Sequence, residues 1–391
     1  MEEKVLIVKY GEVFMRGNNR FLFIKKLVEA IRKNIDPLGA YYVEKEQGRL
    51  IVESRGGPMD FDQLIPRITC IFGLIGVCPG LRFSDQSIEN VQRVALEHIR
   101  AEVGDEPLTF KVNTRRADKH YPLVSQEVSA LVGEHILDAL PNLTVDVHHP
   151  QLVLNVELRN QAYIYSKIYP AFGGLPAGSS GKAVALVSGG FDSPVAAWTM
   201  AKRGVEVVGV YFHSPPYTGE RAKQKVIDLC KRLSHFTGGF RLYIVNFTEL
   251  QLYLLDNTPH DKLTIFLKRA MMRAGESIAA REHALGLITG DSVGQVASQT
   301  MEGLAAINDV CHLPVYRPLC GMDKQEIMDQ AERIGTYDIS IQPYEDCCTI
   351  FVAKHPETRP RVPVIRGIEK GLTELDGLLK AAVLNAEVLE L

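Results

Sequence analysis

The run Ser188-Gly189-Gly190-Phe191-Asp192-Ser193-Pro194 stands between an apolar, strand-like stretch and a helical pattern whose first turn carries a proline. Adjacent glycines let a backbone approach a ligand closely, and loop amides running into a helix N-terminus make an anion cradle suited to phosphates. It is not a Walker A loop: around Gly181-Lys182 the first glycine is missing at the required spacing, and Ala183 follows where Ser or Thr is needed. A second candidate is the thiol pair Cys347-Cys348, placed after the last helix of the alternating pattern. A thiolate is the nucleophile, and Glu345 and Asp346 alongside should raise a thiol pKa, so a helix N-terminus or a basic neighbour such as Lys324 must offset them. Local basic clusters, Arg115-Arg116 with Lys119 and His120, and Arg16 with Asn18, Asn19 and Arg20, suit phosphate and 2′-hydroxyl contacts to RNA. His148-His149 lacks a third ligand at sensible spacing and reads as a loop, so no metal-ligand set is expected.

The elements that must position these groups follow from periodicity. Residues 1–60 read as strand 5–9, helix 18–34 and the hairpin 41–46 and 49–53, most of a ferredoxin-like α+β domain. Residues 61–168 read as a second α/β unit, with helices 61–68, 87–102 and 125–139 and strands 74–81, 108–113, 151–158 and 161–169. A Gly-, Pro- and Ser-rich stretch within 169–182 reads as a linker. From 183 to 391, short apolar strands (183–188, 206–212, 241–246, 287–289) alternate with helices (193–203, 220–236, 262–285, 295–308, 324–334). That alternation predicts a doubly wound parallel sheet, followed by an amphipathic C-terminal helix. Such sheets bind ligands at the carboxyl ends of their strands, which places the chemistry in this half.

Composition narrows the class. The 391 residues suggest two or three units, and 46% apolar and 23% charged residues are those of a globular chain. No run reaches the roughly 18 apolar residues of a membrane span. The start, MEEKVLIVKYGEVF, is acidic where a secretory signal is basic, so the cytoplasm is expected. The 7 cysteines include no CxxC pair, which argues against a disulfide framework, a zinc ribbon and an iron–sulfur cluster. With a net charge of −3, a polyanion must be met by local patches rather than a global field.

SGGFDSP resembles the pyrophosphate-binding PP-loop of the ATP pyrophosphatase superfamily, which activates a substrate oxygen as its adenylate. YFHSPPYTGERAKQKV (211–226), ITGDSVGQVASQT (288–300), RPLCGMDKQEI (317–327) and PYEDCCTIF (343–351) together resemble the tRNA sulfurtransferase (4-thiouridine synthetase, ThiI) family. KYGEVFMRGNNRFLF (9–23) is similar to that family's ferredoxin-like domain, and 110–136 to a THUMP domain. The resemblance implies adenylation of uridine 8 of tRNA with release of pyrophosphate. Displacement of AMP by persulfide sulfur follows, with ATP and Mg²⁺ as cofactors.

By the same resemblance Leu186, Val187, Ser188, Gly189, Gly190, Asp192, Ser193, Tyr211, Phe212, Lys268, Gly290 and Gln299 hold the nucleotide, with Arg269 a rival to Lys268. Asp192 organises Mg²⁺ or the attack, and Lys324 is needed for activity. Cys348 carries the persulfide, with Cys347 as second choice, and the remaining cysteines pack in cores. The implied partners are tRNA, a cysteine desulfurase and the thiamine sulfur-carrier protein, and a homodimer is compatible with the reading. The longer family members' rhodanese domain has no counterpart in this chain. The alternatives are a PP-loop synthetase acting on another tRNA base and a non-catalytic RNA-binding protein with a relic loop.

Overall fold

A computed structural model describes residues 2–117, 119–344 and 355–391, and the chain divides into two compact units, Met1–Gly173 and Gly174–Leu391.

The first unit runs β1 (Glu3–Tyr10), α1 (Arg20–Ile35), β2 (Tyr41–Glu46), β3 (Arg49–Ser54), α2 (Phe61–Thr69), β4 (Leu74–Phe83), α3 (Ile88–Arg100), β5 (Leu108–Arg116), α4 (Ser125–Ala139), β6 (Leu143–Val145), β7 (Leu152–Leu158), β8 (Ala162–Tyr165) and β9 (Tyr169–Pro170). Its strands form one sheet in the order β2-β3-β1-β4-β8-β7-β5-β6, with β9 also on β4. The ferredoxin-like set of six elements therefore takes in α2 and β4, which periodicity alone groups with the following unit. Buried charge ties the two halves of the sheet together: Arg49 Nη1 donates to Glu157 Oε2 at 2.7 Å, and Tyr165 Oη donates to Glu157 Oε1 at 2.7 Å. The helix expected from Asn18 begins at Arg20, because Gly17–Asn19 take a tighter 3-10 turn.

The second unit runs β10 (Lys182–Leu186), α5 (Asp192–Lys202), β11 (Glu206–His213), α6 (Glu220–Thr237), β12 (Arg241–Asn246), α7 (Thr248–Asn257), α8 (Leu263–Arg281), β13 (Leu287–Ile288), α9 (Met301–Asn308), β14 (Val315–Tyr316), α10 (Lys324–Ile334), α11 (Tyr337–Ser340), α12 (Val362–Glu369), α13 (Leu375–Leu384) and β15 (Glu387–Glu390). Its sheet has the order β14-β13-β10-β11-β12-β15. Among the described residues all neighbours are parallel except β15, which pairs antiparallel with β12. Apolar strands covered on both faces explain the alternation, and Val184, Val208, Val210, Leu287 and α8's Phe266 and Ile278 share one core. Each such side chain contributes about 1.5–3 kcal/mol on burial. α6 stops where Gly238 takes a left-handed φ of 75°.

After β12 the chain returns past β10 through α7 and α8 to enter β13 on the other side. The carboxyl end of β10 is thus the switch point at which a doubly wound sheet opens a ligand crevice. The C-terminal helix is α13, and the chain then continues into β15 as an edge strand, an element that periodicity does not predict.

Candidate active site

β10 ends at Leu186, and Val187 and Ser188 lead through the glycine pair into α5, which starts at Asp192. The Ser193 hydroxyl closes this loop, accepting from the Ser188 N–H at 2.8 Å and lying 3.1 Å from Ser188 Oγ. The first-turn amides of α5 have no partners within their own helix, so the loop and the positive end of the helix converge on one point. Gly290, just past β13, is what allows that approach. A Cβ there would stand 2.8 Å from Asp192 C and Ser193 N, so any side chain would push β13's end off the start of α5.

A cavity of about 250 Å³ opens at this point, lined by Leu186, Val187, Ser188, Asp192, Ser193, Tyr211, Phe212, Lys268, Met271, Met272, Thr289, Gly290, Asp291, Gln299 and Ile307. Among the lining residues Leu186, Phe212, Met271, Met272 and Ile307 belong to or pack on the apolar core and suit the face of a planar base. Ser188, Ser193 and Thr289 add hydroxyls to the lining, and Asp192 and Asp291 add carboxylates. Ten of the twelve nucleotide-binding positions expected from the sequence meet here, while Gly189 and Gly190 shape the loop without lining the cavity. Lys324, at the start of α10, sits 6.0 Å from the Phe191 ring centroid, and its charge favours the Asp192 carboxylate.

The two carboxylates are tuned in opposite senses. Burial pushes the Asp192 carboxyl above its ordinary value, and Asp291 adds to that, while Gln295, Lys324 and Lys268 pull the other way. Gln295 Nε2 lies 3.2 Å from Asp192 Oδ2. Burial also works against charge on Asp291, yet Lys268, Thr289, Arg317 and Gln299 outweigh it and hold this carboxyl below its ordinary value. Asp291 accepts from Lys268 Nζ at 3.3 Å, Thr289 Oγ1 at 2.7 Å and Gln299 Nε2 at 3.3 Å, with Arg317 Nε at 3.5 Å. Gln299 Oε1 is buried without a partner among the described residues, an acceptor left for a donor in the cavity.

Arg269 is corrected as a rival to Lys268. It is 1% exposed and faces away from the cavity, into ion pairs with Asp309 and Glu369 and a hydrogen bond to the Ala306 carbonyl. Asp291 and Gln295 are site residues that sequence reasoning misses. Both lie in the ITGDSVGQVASQT stretch, and a carboxylate directly after the strand-end Gly290 is the signal that could find the first of them. Helix is expected throughout 295–308, but Thr300 restarts it by accepting from the Gly303 N–H at 3.0 Å. Cys347 and Cys348 lie outside the described residues.

Among the other cysteines, Cys78 and Cys230 are buried, and burial pushes the Cys78 thiol up to about 11. Cys70, Cys311 and Cys320 are half-buried, Cys311 packing against the core of the second unit. In the first unit Arg20, Asn19, Arg115 and Lys119 are exposed. Arg20 lies over Phe14 at 5.2 Å and Arg16 over Phe23 at 5.3 Å. Arg116 is turned inward, donating to the Tyr121 carbonyl at 3.0 Å, which leaves Arg115 as the outward member of that pair.

Comparison with known proteins agrees with this arrangement along the whole chain. Residues 178–373 match the family described as thiamine biosynthesis protein (ThiI), residues 5–78 its ferredoxin-like domain and residues 85–167 the THUMP domain. The chain belongs to the ThiI family. Relatives within it include probable tRNA sulfurtransferases from Agathobacter rectalis, 48% identical over 99% of this chain and 98% of the relative, and from Lachnoclostridium phytofermentans, 49% identical over 99% of both. A crystal structure of a 4-thiouridine synthetase–RNA complex with bound ATP superposes with a TM-score of 0.91 at 37% identity over 100% of both chains. PH1313 from Pyrococcus horikoshii follows the same fold at a TM-score of 0.66 and 26% identity, over 85% of this chain and 99% of that one. Among the described residues no helix is long and apolar enough to cross a membrane.

Proposed function

We propose that this ThiI-family chain is a tRNA sulfurtransferase that adenylates uridine 8 of tRNA and replaces its C4 oxygen by sulfur, giving 4-thiouridine. The observation that carries the reading is the switch-point cavity. Its lining combines apolar side chains with a loop and helix N-terminus that attract phosphate, in a chain matching an ATP- and RNA-bound 4-thiouridine synthetase over its full length.

In this reading the base of ATP lies among Leu186, Phe212, Met271 and Ile307, with Gln299 Oε1 accepting from its exocyclic amine. The phosphates meet Ser188, Gly189, Gly190, Ser193 and the α5 amides. Asp192 would hold a Mg²⁺ ion, which neutralises phosphate charge as pyrophosphate leaves. Lys268 and Lys324 add fixed positive charge on two sides of the loop. The C4 oxygen of the uridine attacks the α-phosphorus of ATP, forming the adenylate and expelling pyrophosphate. The terminal sulfur of a persulfide on Cys347 or Cys348 then attacks C4, and AMP departs. A second thiol then attacks the carrier sulfur, forming a disulfide with it and releasing 4-thiouridine, and an external dithiol reductant returns that disulfide to thiols before the next turnover. A cysteine desulfurase supplies the sulfur, and the thiamine sulfur-carrier protein is a second acceptor. We assign the ferredoxin-like and THUMP regions, through Arg16, Asn19, Arg20, Arg115 and Lys119, to grip of the tRNA backbone in the cytoplasm, in a monomer or homodimer.

The test is pyrophosphate release from ATP by the full chain with unmodified tRNA, a cysteine desulfurase and cysteine, followed by mass spectrometry of the tRNA nucleosides. 4-Thiouridine at position 8 is expected. Pyrophosphate with a different modified base would move the chain to another substrate, and no turnover of ATP would overturn the enzymatic reading.

A further inference from the structure

Gln299 lines the cavity and is only 7% exposed. Its main chain is fixed at the end of the 3-10 turn Ala297–Gln299, where its N–H donates to the Val296 carbonyl at 2.9 Å and its carbonyl accepts from the Gly294 N–H at 2.9 Å. The side-chain amide is held by its neighbour. Asp291 Oδ1 accepts from Gln299 Nε2 and from Lys268 Nζ, each at 3.3 Å, while Oδ2 accepts from Thr289 Oγ1 at 2.7 Å and has Arg317 Nε at 3.5 Å. All four of these groups are donors, and an ionised carboxylate has no hydrogen to return. A flip of the Gln299 amide would set Oε1 against Asp291 Oδ1, oxygen against oxygen. The network thus assigns Nε2 to the carboxylate and leaves Oε1 as a buried acceptor without a partner among the described residues.

An acceptor left unmet in a filled cavity weakens the complex by roughly five- to a hundredfold, so the ligand that belongs there brings it a hydrogen. Ionised phosphate oxygens only accept and cannot. The donors of ATP are on its nucleoside, as the exocyclic amine of adenine and the ribose hydroxyls. A nucleotide with a carbonyl in place of the amine, or without the hydroxyl, leaves Oε1 facing another acceptor or nothing, and a site built around one hydrogen bond refuses the analogue that lacks it. We propose that Asp291 is a positioning residue that sets nucleotide specificity, fixing Gln299 as an acceptor for a donor of the nucleoside. The proposal rests on the reading above that this cavity holds ATP, and it extends that reading from Gln299 to the carboxylate behind it.

Full-length wild type, Asp291→Asn and Gln299→Leu are compared for kcat/KM of pyrophosphate release with unmodified tRNA, a cysteine desulfurase and cysteine, using ATP, ITP, 2′-deoxy-ATP and 3′-deoxy-ATP. Wild type is expected to prefer ATP to one of the three analogues by about tenfold or more. In Asp291→Asn the carboxamide offers its own N–H to Gln299 Oε1, which frees the Gln299 amide to turn, and the preference should fall to within about twofold. Gln299→Leu should lose it to the same extent. A preference lost against ITP assigns the donor to the exocyclic amine, and one lost against a deoxy analogue assigns it to that ribose hydroxyl. A general loosening of the site would lower kcat/KM for ATP and the analogues alike, so an unchanged ratio in Asp291→Asn overturns the proposal, as does a wild type indifferent to all three changes. If Asp291→Asn does not fold, Gln299→Leu carries the test, and a preference kept there overturns it. The failure of the underlying reading is separate: wild type would then release no pyrophosphate from ATP.

Discussion

Lys268 Nζ lies 3.3 Å from Asp291 Oδ1, so the cation expected to meet the nucleotide is held by a carboxylate that forms part of the same cavity wall. This carboxylate, shared with Thr289, Gln299 and Arg317, presets the Lys268 ammonium and the Gln299 amide before any ligand arrives.

Asp291→Asn should therefore raise the KM for ATP about tenfold with a smaller change in kcat, read from pyrophosphate release over a range of ATP. Lys268→Met should lower stability by about 1–3 kcal/mol, because it removes a partner of a buried carboxylate. The Asp291 carboxyl is held below its ordinary value. Its stabilising contribution is thus present above the usual Asp range and lost as pH falls through the lowered value, and urea unfolding at neutral and acid pH checks the sign.

Asp192 behaves oppositely. Burial raises its carboxyl, so the folded protein favours the neutral acid, and the stability this contributes is lost as pH rises through the raised value. Asp192→Asn should raise the Tm of the nucleotide-free protein at neutral pH while abolishing pyrophosphate release. A variant that turns over ATP normally would remove Asp192 from the reaction.

The two adjacent thiols are separable by half-reaction. Cys348→Ser is expected to leave pyrophosphate release intact and to stop 4-thiouridine formation, with Cys347→Ser retaining part of it. The reverse pattern, read by nucleoside mass spectrometry, would assign the persulfide to Cys347.

In the first unit the Arg49–Glu157 pair has both side chains almost wholly buried. Glu157→Gln should cost about 1–3 kcal/mol, because the buried Arg49 guanidinium loses one of its two counter-charges and keeps Glu46 at 2.8 Å, and Arg49→Met with Glu157→Leu should recover part of that. Urea unfolding of the single and double variants measures the coupling.

Arg20→Ala and Arg115→Ala should weaken tRNA binding while sparing ATP binding. Each should also reduce the slope of log affinity against log salt by about one, because one phosphate is no longer neutralised by the protein. Arg116→Ala should change the slope least, because that side chain is committed to the Tyr121 carbonyl. Fluorescence titration at several salt concentrations distinguishes these outcomes.

Much of this protein is written locally. Strand 241–246 and helices 125–139 and 324–334 have the bounds that periodicity and capping predict, since their patterns are long and their ends carry clear signals. β6, β14 and β15 escape such a reading because strands of two to four residues have almost no periodicity. They exist because a neighbouring edge offers free backbone groups, as β12 does for β15.

The SGGFDSP loop is equally legible, because glycine pairs, a strand before and a helix after constrain the same few residues whose amides do the work. Sequence alone thus determined the alternation of the longer strands with their helices, the anion cradle and the chemistry it suits. Tertiary structure decided which of two adjacent cations serves the site. Successive residues on a helix point about 100° apart, so the packing of α8 turns Lys268 to the cavity and Arg269 to Asp309 and Glu369. It also decided that Asp291 is part of the site at all. The groups that hold its charge come from α8, the end of β13 and the loop after β14, and only the folded sheet brings them within hydrogen-bonding distance of one carboxylate.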